Sequence, residues 1–179
     1  MTRSAHHATA PSLTLREARE DDIGALLEIV QAAYRGEGGW TTESHLVRGH
    51  RSTEGEVRAM ITDPAVTLIV AQGPDGPVGC CYTRTEGDRA ELGLFAVHPA
   101  AQSGGIGGRL LEAQVENLSG AGVRELMIQV LQSRPELHAW YERHGFRATG
   151  VELPFPADPT LLTVPGLRMI EMVRPLQAS

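Results

Sequence analysis

The apolar positions of the first sixty residues change period once. Leu13 to Ala18 alternates apolar and polar, the spacing of a half-buried strand. From Glu20 to Tyr34 the repeat becomes helical, with Ile23, Leu26, Leu27, Val30 and Tyr34 on one face. Glu20, Asp21 and Asp22 sit at the positive N-terminal end of that helix. Gly36, Gly38 and Gly39 end it. A second helical region is expected in two pieces, Thr42–Arg48 and Thr53–Thr62. Thr53 and Glu56 have capping-box spacing for the second piece.

Three strand signals follow. Ala65 to Ala71 is a β-branched run, and the Gly73-Pro-Asp-Gly-Pro77 turn leads to a strand over Val78–Thr85. Gly87 and Asp88 make a short hairpin into Arg89–Val97. A glycine-rich loop then opens a helix over Gly105–Ser119, with Leu110, Leu111, Val115 and Leu118 toward the core. Gly120 and Gly122 stop it. Glu125 to Leu131 reads as a buried strand. Ser133 and Glu136 have capping-box spacing for a helix running to His144, with Pro135 in its first turn and Gly145 closing it. Phe146–Val151 and Leu167–Val173 are the last two strands. Between them lies a loop with Pro154, Pro156, Pro159 and Pro165. The order β-α-α-β-β-β-α-β-α-β-β predicts one mixed α/β domain over residues 13–176, behind a loose tail at 1–12.

Composition narrows the class. A chain of 179 residues with 41% apolar and 21% charged residues has enough of both for one globular core. A net charge of −6 argues against nucleic-acid binding over a broad basic surface. No apolar run approaches the roughly 20 residues of a membrane span, and no signal core opens the chain. The two cysteines, Cys80 and Cys81, are adjacent and would point to opposite faces of a strand, which excludes a disulfide between them. A reducing, cytoplasmic setting is expected. The seven histidines show no His-Glu-x-x-His spacing, and no Cys-x-x-Cys occurs, so no metal site is expected.

Glycine is the unusual count, at 20. Its densest cluster is Gln102-Ser103-Gly104-Gly105-Ile106-Gly107-Gly108, between a strand and a helix start. Unpaired N–H groups there, bare of side chains, suit a phosphate. The nucleotide P-loop ending Gly-Lys-Ser/Thr is absent. The dinucleotide pattern Gly-x-Gly-x-x-Gly also fails, because Leu110 stands where its third glycine would be.

The cluster resembles the acyl-CoA signature Gln/Arg-x-x-Gly-x-Gly/Ala of the Gcn5-related N-acetyltransferase (GNAT) superfamily, matched by Gln102, Gly105 and Gly107. Upstream, Ala90-Glu91-Leu-Gly-Leu-Phe95-Ala96-Val97 is similar to the catalytic strand of its histone acetyltransferase branch. Downstream, Tyr141-Glu-Arg-His-Gly145-Phe146 resembles its Tyr-x-x-x-Gly-Phe element. The likeness spans about Leu13 to Leu176.

The resemblance implies a twisted, mostly antiparallel sheet of about seven strands flanked by about four helices, with one splayed parallel pair. It implies an acetyl-CoA-dependent N-acetyltransferase acting on a primary amine by direct attack, with no metal. Backbone at Phe95, Ala96 and Val97 would hold the thioester and pantetheine arm. Backbone N–H groups from Gln102, Ser103, Gly104, Gly105, Gly107 and Gly108 would hold the pyrophosphate. Glu91 matches the general base and Tyr141 the general acid. Read without the resemblance, Glu91 is a solvated strand residue and Tyr141 is part of the core face Leu137, Trp140, Tyr141 and His144. His138 is a second candidate base. Arg134 stands where the family often has an asparagine on the pantetheine arm. Trp40 and Phe155, on the two long loops, are candidate acceptor-site residues. Superfamily members are often homodimers. A non-catalytic acyl-CoA-binding module of the same fold is the alternative.

Overall fold

The β-branched and alternating runs assemble into one sheet in a computed structural model that describes residues 13–36 and 43–177. Its strands are β1 (Thr14–Glu17), β2 (Val66–Gly73), β3 (Gly76–Glu86), β4 (Arg89–Val97), β5 (Glu125–Leu131), β6 (Arg147–Pro154) and β7 (Arg168–Pro175). Among the described residues the spatial order is β1-β2-β3-β4-β5-β7-β6. Only β4 and β5 run parallel. The helices are α1 (Ile23–Arg35), α2 (Glu54–Thr62), α3 (Ile106–Gly120) and α4 (Pro135–Arg143).

Each face of the sheet has its own core. Leu26, Val30 and Ala33 of α1 and Val57 of α2 pack with Leu68, Val70, Cys80, Leu94 and Ala96. On the other side, Leu110 and Leu111 of α3 and Tyr141 of α4 pack with Ala71, Cys81, Leu92, Leu126 and Met172. The two cysteines therefore do face opposite ways. Burial pushes the Cys80 thiol up to about 12 and the Cys81 thiol higher still, so neither is a thiolate near neutral pH.

The structure moves several expected boundaries. The acids Glu20–Asp22 form a 3-10 turn ahead of α1. Residues 44–46 turn and Val47 bridges Leu162, so the expected Thr42–Arg48 helix is absent from the described part of that span. Leu46 and Val47 are instead drawn into a small cluster with Leu131, Leu167 and Met169. Thr53 and Glu56 form their capping box. Ser133 does not cap α4. Pro135 holds Arg134 out of the helical region, so Arg134 stands at the cap, ion-paired with Glu136. In α3, Gln114 rather than Val115 is fully buried. Its amide bonds Thr67 O and Cys81 O and accepts from Thr83 Oγ1, which satisfies it without water.

One ion pair ties the first strand to the first helix. Arg16 donates to both oxygens of Asp22 at 2.7 and 2.8 Å, and the Arg19 N–H adds a bond at 2.7 Å. The Arg16 guanidinium holds the Asp22 carboxyl below the usual range. A pKa lower in the folded than in the unfolded chain gives stability above the ordinary carboxylate value and loses it as pH falls through the lowered one. Asp22→Asn is expected to cost about 2 kcal/mol at neutral pH. The gap to wild type should narrow in urea titrations as pH falls below the ordinary carboxylate range.

Candidate active site

The site starts where β4 leaves its parallel neighbour. Arg89, Ala90 and Glu91 pair with Glu125, Leu126 and Met127, and no pairing continues past Glu91. On its other side β4 shifts register against β3: Cys80 faces Ala96 but Tyr82 faces Gly93. One extra residue lies in β4, at Leu94, whose φ is +46°. Such a bulge exchanges the faces of the residues on either side of it. Ala90 and Leu92 pack toward α3, whereas Leu94 and Ala96 pack toward α1. Glu91 therefore opens on the α1–α2 side, while Phe95 and Val97 open toward α3 and α4.

The α3–α4 side holds a cleft of about 270 Å³ lined by Phe95, Val97, Gln102, Ser103, Gly105, Gly107, Gly108 and Trp140, among others. At its mouth, α3 begins with Gly105 in the left-handed region, φ +72°. Its first bond into the helix is Arg109 N–H to Gly105 O, so the N–H groups of Ile106, Gly107 and Gly108 have no carbonyl within α3. No acidic side chain lies in that first turn. Gly107 faces the aromatic wall: a Cβ there would lie 3.7 Å from both Phe95 and Trp140. Gln102 turns its amide back to Val97 O at 3.0 Å, bracing the loop. Bare N–H groups at a helix start beside an apolar trough fit the phosphate and arm of an acyl-CoA.

On the α1–α2 side a cavity of about 340 Å³ is lined by Glu91, Tyr34, Glu43, Arg51, Glu56, Tyr82 and Arg134, among others. Its wall is anchored to β4, since the Tyr34 hydroxyl donates to Phe95 O at 2.8 Å. That carbonyl is thus already engaged. Glu43 is buried against Arg35 at 2.8 Å. The Tyr82 ring lies on Gly93, where a Cβ would come within 2.4 Å of it. Burial raises the Tyr82 hydroxyl, the charge of Glu91 adds to this, and Arg84 and Arg51 oppose it.

The two spaces share Phe95, Leu137 and Tyr141 in their walls. Tyr141 is 7% exposed, edge-on to Trp140 and Phe146. Burial holds its hydroxyl well above the ordinary range, with Tyr34 and Cys81 adding to the shift. Among the described residues nothing hydrogen-bonds that hydroxyl.

Other expected residues lie elsewhere. Ala96 is buried on the α1 side, and Ala96 and Gly104 are absent from the lining of the first cleft. Phe155 packs beside Leu46 and Leu131, and Pro156 faces the cavity in its place. His138 holds Leu131 O at 2.8 Å and lines neither space. Trp40 lies outside the described residues. Sequence reasoning missed Trp140 as a wall of the first cleft, although its place on the face of Tyr141 was a usable signal. It also missed Arg51, for which no motif existed. Among the described residues no cluster of His, Cys, Asp and Glu is placed to hold a metal ion. Among them no helix is long and apolar enough to cross a membrane.

The chain is similar to several known proteins. A family model for the acetyltransferase (GNAT) domain matches residues 64–148. An IAA acetyltransferase of Azospirillum brasilense is 31% identical over 104 residues, covering 57% of this chain and 68% of that protein. An amino-acid acetyltransferase of Pseudomonas paraeruginosa is 27% identical over 139 residues, 77% of this chain. The match spans only 28% of that relative's length. In structure, the chain superposes on a phosphinothricin acetyltransferase from Sinorhizobium meliloti, solved with AcCoA. The TM-score is 0.69 at 22% identity, with 92% of this chain and 89% of that one covered.

Proposed function

The chain belongs to the GNAT acetyltransferase family, and from that membership we propose that it moves an acetyl group from acetyl-CoA to a primary amine. One observation carries the reading. Tyr141 stands where the α3–α4 cleft and the second cavity meet, with Glu91 on the wall of the second. Acetyl-CoA supplies the acyl group as a thioester. The N–H groups of Ile106, Gly107 and Gly108 receive its pyrophosphate, and Phe95, Val97 and Trp140 flank its arm.

An amine nucleophile is protonated at neutral pH, with an ordinary value of about 10.4 for a lysine-like group. Glu91 takes that proton, directly or through a water, as nitrogen bonds to the acyl carbon. The carbon–sulfur bond breaks, and the Tyr141 hydroxyl donates its proton to the departing sulfur. Its raised pKa keeps it protonated until then. Arg134, at the position of the family's frequent asparagine, lies on the second cavity and is paired with Glu136. The arm contact made by that asparagine is therefore not carried over.

The test is CoA-thiol release from acetyl-CoA with a panel of primary amines. The buried Cys80 and Cys81 should not compete with the released thiol for reagent. Glu91→Gln is expected to lower turnover about 10²-fold near neutral pH. The loss should shrink toward about pH 10, where the amine is already deprotonated. A pH–rate profile identical to wild type would remove Glu91 from the mechanism. No release with any amine, despite acetyl-CoA binding, would favour a binding module.

A further inference from the structure

Arg51 lines the second cavity as a cation with no anion beside it among the described residues. Its backbone N–H is held by Gln31 of α1 at 3.4 Å, and its guanidinium lies 4.9 Å above the Tyr34 ring. Its Nε is buried and has no hydrogen-bond acceptor among the described residues. Among the described residues no carboxylate lies within ion-pair distance of it.

The neighbouring acids are engaged otherwise. Glu43 bonds Arg35 and Glu56 bonds the Thr53 N–H. Glu91, on the same cavity, has no ion-pair partner among the described residues. A buried guanidinium N–H without an acceptor costs free energy that a bound anion would recover. A planar guanidinium also matches a carboxylate in two-pronged geometry.

We propose that the acceptor is a small zwitterion, a primary amine carrying its own carboxylate, whose carboxylate is bound by Arg51 while its amine approaches Glu91. The cavity has the size of a small-molecule site rather than a polypeptide groove. Arg51 and Glu91 both line this one cavity, so a single compact ligand there meets both charges. α-Amino acids have this chemistry. The proposal rests on the acyl-transfer reading for its outcome, but its recognition step is measurable without turnover.

The experiment compares the standard L-α-amino acids with their carboxamides, which keep the amine and lose the carboxylate. Rates come from thiol release and binding from calorimetry on the CoA-loaded protein. At least one free acid should exceed its amide by about tenfold or more in kcat/KM, and Arg51→Met should collapse that ratio to about twofold. Arg51→Lys, keeping charge without the fork, should fall between. If Arg51→Met does not fold, the wild-type ratio and Arg51→Lys decide. Amides accepted as well as acids would overturn the proposal and leave acyl transfer standing. Acids bound in preference to amides, with no turnover, would support it and overturn acyl transfer. Neither turnover nor preferential binding of acids would overturn it, as would turnover confined to amines without a carboxylate.

Discussion

Tyr141→Phe is expected to lower kcat by about 10²- to 10³-fold while leaving acetyl-CoA binding within about twofold. The variant separates catalysis from packing. The ring stays, with its edge contacts to Trp140 at 5.0 Å and Phe146 at 5.3 Å. Only the hydroxyl goes, and no described residue bonds it, so no buried partner is orphaned. The melting temperature should therefore hold. A core tyrosine with no chemical role predicts the opposite outcome, a kcat close to wild type. Glu91→Gln adds a further distinction. If Glu91 and Tyr141 act in one transfer, the double variant should lose less than the product of the single losses, because residues acting as a unit are not additive. Single-turnover mixing would show that the loss lies in chemistry rather than product release.

The sheet was legible because its apolar alternation is clean, and β4 and β5 fall on the residues expected. The site was less so, and the reason is one residue. Ala90, Leu92, Leu94 and Ala96 read as an unbroken alternation, which places Glu91 and Phe95 on one face. The bulge at Leu94 leaves that pattern intact in sequence while reversing it in space. Nothing in the alternation marks it, because a leucine rather than a glycine takes the positive φ. The reversal leaves Glu91 on the second cavity alone, while Phe95 and Val97 reach the first.

Gln114 shows a second limit. A polar residue on a helix face reads as solvent-facing until the strand carbonyls it satisfies are in place. Arg51 shows a third, since an arginine in a loop has no meaning until the cavity it lines is seen. The glycine cluster was readable as a cluster but not residue by residue. Gly105 meets a backbone requirement, at φ +72°, and Gly107 leaves room in a cleft.

Gly107→Trp should abolish stabilisation by acetyl-CoA. A ligand at about a hundred times its dissociation constant adds roughly 2.7 kcal/mol to the folded state. For a chain of this size that is a rise of about 5–10 °C in Tm. In the variant the rise should be below about 1 °C. The argument is steric and local. A Cβ at Gly107 makes ordinary contact with Phe95 and Trp140, so Gly107→Ala should keep much of the shift. An indole continues into the space between those rings, which is the trough itself. The unliganded fold should not suffer comparably, because position 107 borders an open cleft and leaving glycine gains helix propensity of up to about 1 kcal/mol. A full ligand-induced shift in Gly107→Trp would move the cofactor away from α3. It would also remove the geometric basis for placing the thioester beside Tyr141, so this measurement bears on the catalytic reading as directly as the loss of the hydroxyl does.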